Sequence, residues 1–205
     1  IPHTLQLHML RVAGVCKMIC ENWSWDSVDT NKMLTAALLH DMWNVVKFDL
    51  DNIPLELEEM YKELDVDTLR MIQKEMIQKY WAEEHGANMW VAREMWVSEE
   101  VIDMIGRVSS ERLKREYDTY SIEQIIVKYS DTRVWPYGVM SAAQRYTEAA
   151  KRYNKEDWIE KISQKVEFIE KVEQRIFSHC SILPTDIHDE SITPLLEELR
   201  GFDIV

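Results

Sequence analysis

Apolar residues recur at helical spacing along almost the whole chain, and no convincing period-two alternation sits between hairpin turns. That pattern restricts the fold to an all-α one, because a stripe repeating every 3.6 residues faces one side only when the backbone is helical. Leu5, Met9, Val12, Val15, Cys16 and Ile19 form the first stripe, over residues 4–22. After a connection from Asn22 to Asp29, residues 30–43 read as a second, strongly apolar helix, and Pro54 marks a looser stretch. Further helices are predicted near 55–64, 66–80, 84–96, 98–107, 121–133, 138–153 and 157–179. Ser98 and Ser121 are placed as N-caps ahead of acidic first turns. The tail from Ser181 to Val205 carries Pro184, Pro194 and one short helix around Pro194–Arg200. Unless that tail packs back on the body, Leu195, Leu196, Leu199 and Phe202 are exposed. A chain of 205 residues that is 46% hydrophobic can bury one substantial core. We expect a domain over 1–153 with a C-terminal helical extension, 154–205, packed on it.

Charge narrows the choice of partner. Lys+Arg 24 against Asp+Glu 37 gives a formal net charge of −13, which opposes attraction to nucleic-acid backbones and anionic membrane surfaces. A large polyanion is therefore excluded as the expected partner, whereas a small anionic substrate can still bind where local cations reverse the field. Cys16, Cys20 and Cys180 make no even-numbered framework and read as free thiols of a reducing cytosol. There is no apolar run long enough to cross a bilayer and no secretory pattern at the N-terminus, so a cytoplasmic protein is expected. Ile1 already falls inside a patterned stretch, so the natural protein is expected to carry a few residues before it.

His40-Asp41, inside the run Ala36-Ala37-Leu38-Leu39-His40-Asp41-Met42, breaks the apolar logic of the second helix. A buried imidazole and carboxylate side by side need compensation, and a metal ion compensates both. His8, on the first helix, and Asp131, in Lys128-Tyr129-Ser130-Asp131-Thr132-Arg133, are the best-placed partners. Two imidazoles and two carboxylates suit one divalent transition metal, Mn, Fe, Co, Ni or Zn, and are too rich in nitrogen for a dedicated Ca²⁺ site.

The order His, His-Asp, Asp on an all-helical background resembles the HD-domain superfamily of metal-dependent phosphohydrolases. Residues 1 to about 153 carry the resemblance, through Leu-His-Met-Leu-Arg-Val-Ala at 7–13, Ala-Leu-Leu-His-Asp-Met at 37–42 and Tyr-Ser-Asp-Thr-Arg-Val at 129–134. It implies an HD-domain helical bundle with His8, His40, Asp41 and Asp131 as metal ligands. The implied chemistry is hydrolysis of a phosphate ester or anhydride of a nucleotide or other small phosphorylated molecule by metal-activated water. Asp41 or Asp131 can take the water's proton. Asn44 stands where members of the superfamily often carry Lys or Glu, and an amide orients a water or substrate without exchanging a proton.

His85 falls where larger members place a histidine for a second metal, with Glu84 beside it as a ligand or base. The later histidine of a complete second site is missing, since no His occurs between His85 and His179. Arg133, Arg145 and Lys47 are the expected phosphate contacts, arginine for its planar fork, although a solvated helix face is the commoner place for such residues. The same ligands leave room for a non-catalytic HD module that binds a nucleotide or a protein partner.

Eight Trp against five Gly inverts ordinary usage. Trp23, Trp25, Trp43, Trp81, Trp96 and Trp135 fall at helix ends and connections, where a positive φ or close backbone approach calls for glycine. One explanation is UGA codons that a glycine-decoding bacterial lineage reads as Gly. Positive φ at several of the six is the structural sign expected of it.

Overall fold

The computed structural model describes residues 2–47, 49–52, 65–80, 84–152 and 158–205. In chain order its helices are α1 (His3–Glu21), α2 (Thr30–Leu39), α3 (Val66–Tyr80), α4 (Glu84–Glu94), α5 (Glu99–Gly106), α6 (Ser110–Glu116), α7 (Ile122–Thr132), α8 (Ala142–Arg152), α9 (Trp158–Phe177) and α10 (Asp189–Leu199). Two-residue strands β1 (Val134–Trp135) and β2 (Gly138–Val139) pair antiparallel, Val134 with Val139 and Trp135 with Gly138. Among the described residues the fold is all-α apart from this hairpin and one isolated bridge, Trp23 with Cys180. No helix of the described residues is long and apolar enough to cross a membrane.

The site rests on α1, α2 and α7, which pack on one another. Ala13 on α1 and Ala36 and Ala37 on α2 are fully buried, so small side chains let these helices approach closely. On α7 the residues Ile125 to Ser130 are all buried, which makes it a central helix rather than one with a single wet face. Its start is fixed by a capping box, in which the Ser121 hydroxyl accepts from Gln124 N and the Gln124 side chain accepts from Ser121 N. Ser98 caps α5, accepting from Val101 N at 3.4 Å.

The C-terminal helix lies on α1. At Gly14 a Cβ would meet Leu196 Cδ2 at 3.0 Å and Ile192 Cβ at 3.5 Å, so glycine there lets α10 lie close without displacing the Leu196 side chain. Ile192 and Leu199 are buried, and Leu196 and Phe202 pack against the same core.

Four details depart from the sequence-based expectation. First, α2 stops at Leu39, so the doublet lies in the turn that follows rather than inside a helix reaching 43. His40 forms its C-cap, and the His40 ring bonds the Ala37 carbonyl, one of those a helix end leaves unpaired. Second, the stretch predicted as helix from 138 begins with strand β2, and α8 starts only at Ala142. Third, α6 was not foreseen; Ser109 caps it by accepting from Arg112 N. Fourth, α10 begins at Asp189 and carries Pro194 within it. The helix predicted over 55–64 lies outside the described residues.

Among the described residues Trp96 alone combines a side chain with positive φ, 60°, just past the end of α4. Trp96 is 94% exposed, so its ring gains nothing from the position. Trp23, Trp25, Trp43 and Trp135 have no positive φ, and Trp81 lies outside the described residues. The glycine-type backbone is therefore seen at one of these positions, not at several.

Candidate metal centre

Three elements bring the four expected ligands together. His8 Nε2 on α1 lies 3.4 Å from Asp41 Oδ2 and 3.5 Å from Asp131 Oδ1. His40 Nε2 lies 3.6 Å from Asp41 Oδ2 and 3.4 Å from Asp131 Oδ1. The donor atoms of His8, His40 and Asp131 all fall within 4.8 Å of one another, and Asp41 joins them through both imidazoles.

The orientation of His40 is the sharpest feature. Its Nδ1 is 2.9 Å from the Ala37 carbonyl, an oxygen that can only accept, so Nδ1 carries the proton. In the neutral ring Nε2 then presents a bare lone pair to two carboxylates. The residue is 2% exposed, and Nε2 has no hydrogen-bond partner. A lone pair buried against anions is repelled, so this position takes a cation, a proton on Nε2 or a metal ion in its place. Ligand atoms ~2.1 Å from a shared ion sit ~3 to 3.4 Å apart; the four imidazole–carboxylate spacings, 3.4 to 3.6 Å, lie at or just above the upper end of that range, so a small contraction of the cluster seats a divalent ion.

Proton affinities report the same field. Burial pulls the His8 imidazole down, but the Asp131 and Asp41 carboxylates outweigh it and hold the pKa up at about 9. His40 is also raised, because Asp41 and Asp131 overcome its burial. Burial pushes both carboxyls up; His40 and His8 reverse this for Asp41, while Lys128 and the histidines hold Asp131 well below the usual range. The cluster attracts positive charge, proton or metal alike.

Asn44 opens the short 3₁₀ turn Asn44–Lys47 after the doublet, and its Oδ1 is buried without a partner. Lys47 ends that turn and is exposed. The side chains of Glu84 and His85 lie outside the described residues.

Arg133 is a correction. It is 3% exposed, and its guanidinium donates to the carbonyls of Met140 (2.5 Å), Pro184 (3.1 Å) and Ile187 (2.8 Å) and to the Tyr129 hydroxyl (2.8 Å). An arginine occupied in this way ties the hairpin and the tail to α7, against the phosphate contact expected of it. Arg145 donates Nε to the Val134 carbonyl at 3.0 Å and Nη1 to Glu148 at 2.9 Å, so it braces the same hairpin.

Two residues were missed. Lys128, 5% exposed, places its ammonium 2.5 Å from Asp131 Oδ2. The signal was its place three residues before Asp131, which puts both on one helix face. Asn88 on α4, 2% exposed, accepts from Trp43 N at 2.8 Å and fixes the backbone beside the doublet; nothing in the sequence marked it.

Neither a curated protein nor a solved structure matches the chain. The profile of the HD domain family matches residues 6–133, a span that holds all four clustered residues and more than half of the sequence. With that match and this geometry together, the chain belongs to the HD-domain family.

Proposed function

We propose that the protein is a cytoplasmic, metal-dependent phosphohydrolase acting on a phosphate ester or anhydride of a nucleotide or other small phosphorylated molecule. The orphaned Nε2 of His40, aimed at two carboxylates in a buried cluster, is the observation that carries this reading. His8, His40, Asp41 and Asp131 would hold the ion. A divalent ion bound there supplies an acidified water and a Lewis acid for the phosphoryl group.

The protein's own groups do the rest. Asp41 is the better proton acceptor of the two carboxylates, since Asp131 already bears Lys128 on its second oxygen. Asn44, with a buried and unpaired carbonyl oxygen, orients a donor such as a water or a substrate hydroxyl. Lys47 and Arg145 are the proposed phosphate contacts, and Glu84 and His85 the residues for a second ion or the cleft wall. The net charge of −13 favours substrates small enough to be governed by the local field of the ion.

A phosphate-release screen over nucleotides and small phosphate esters, with Mn²⁺, Ni²⁺, Co²⁺ or Zn²⁺ added, tests the proposal. Metal-dependent release by the wild type, reduced at least ~100-fold in Asp41→Ala, is expected, a loss beyond that of merely disturbing a ligand's support. An ion-loaded protein that binds a nucleotide and leaves it intact would instead be the binding module.

A further inference from the structure

The carboxylate of Asp131 is divided between two kinds of partner. Its Oδ1 faces the imidazoles, at 3.5 Å from His8 Nε2 and 3.4 Å from His40 Nε2, while its Oδ2 faces the Lys128 ammonium at 2.5 Å. Asp41 differs, since one oxygen, Oδ2, meets both imidazoles. The Lys128 side chain is only 6% exposed, so its charge depends on the carboxylate beside it and cannot swing away to water.

We propose that Lys128 is a positioning residue that confines Asp131 to one metal-facing oxygen and so preserves an open coordination position. The inference rests on the reading of the cluster as a metal centre. A carboxylate can bind an ion through one oxygen or through both. With an ammonium on Oδ2, a second contact from that oxygen would bring two cations onto the same atom and break the lysine's buried ion pair. Catalytic sites keep a position free for water or substrate, and Lys128 keeps it free here by occupying the ligand's other arm.

Co²⁺ is a suitable probe, because its visible absorption reports coordination number. At saturating Co²⁺ the wild type and K128R share one spectrum, whereas K128M shows weaker absorption as the second oxygen enters. K128M binds Co²⁺ no more weakly than the wild type, since a buried cation near the ion is gone, yet its kcat for phosphate release falls at least ~10-fold. On an Asp131→Ala background K128M leaves the spectrum unchanged. A wild-type spectrum in K128M, or an equal change on the Asp131→Ala background, overturns the proposal while the metal centre stands. Should K128M not fold, a Co²⁺-loaded wild-type crystal structure decides. Asp131 bound through Oδ1 alone, with Oδ2 on Lys128, supports the role; both oxygens on the ion overturn it. A wild type that takes up no Co²⁺ removes the metal-centre reading and this inference with it.

Discussion

Asp131 and Arg133 lie two residues apart at the end of α7, both drawn in from solvent, and their surroundings are opposite in kind. Around Arg133 the polar atoms are matched: three backbone carbonyls and a hydroxyl receive its N–H groups, and that hydroxyl, Tyr129, donates in turn to Glu173 at 2.7 Å. Around Asp131 they are not, because His40 Nε2 faces two carboxylates with no hydrogen bond to either. Buried polar groups alone therefore do not mark a site. A matched network holds segments together, here α7, the hairpin and the tail, whereas an unmatched one of uniform donor chemistry leaves a place for a ligand.

The contrast can be tested on stability. Arg133→Met strands buried carbonyl oxygens, each costing ~1 to 3 kcal/mol, so a loss of ~3 to 5 kcal/mol in denaturant unfolding is expected, with metal affinity kept by the folded fraction. A loss under ~1 kcal/mol would erase the distinction. The cluster should instead show its mismatch through pH. His8 is raised from 6.5 to about 9 in the folded protein, so the stabilisation it gives is complete below pH 6.5 and is lost as pH rises through 9. At ~1.4 kcal/mol per unit, the metal-free protein should lose ~3 kcal/mol across that window, and a bound divalent ion should flatten the fall. Equal slopes with and without metal would contradict this. The smallest effect lies far from both regions: Trp96→Gly relieves a left-handed backbone at an exposed ring and should raise stability by ~1 kcal/mol, read from the shift in urea midpoint.

The helices were legible in the sequence because each is long enough for its stripe to repeat, as in α1 with Leu5, Met9, Val12, Cys16 and Ile19 all buried. The hairpin was not, since two residues per strand give no alternation to read. His40-Asp41 was visible because it interrupts an apolar run, and His8 and Asp131 were candidates by chemistry that the resemblance to the HD-domain superfamily singled out. Arg133 was misread for a physical reason: its partners Pro184 and Ile187 lie far along the chain, and no local pattern reveals carbonyls arriving from there. Lys128 was overlooked because a lysine within an apolar helix face ordinarily carries its head to water, and only the fold shows that it does not. Asn44 was placed through the resemblance, three residues beyond Asp41, and it opens the short turn after α2 that Lys47 ends.

If the unmatched cluster is a cation site, its affinity for divalent ions depends on His40. Calorimetric titration of the metal-free protein with Mn²⁺, Co²⁺, Ni²⁺ and Zn²⁺, compared with His40→Ala, addresses it most directly. The wild type should bind one ion tightly, with protons released as the ion displaces them from His8 and His40, and the affinity should be at least ~100-fold weaker in the variant. Equal affinity in the two proteins, or no binding by the wild type, would contradict it.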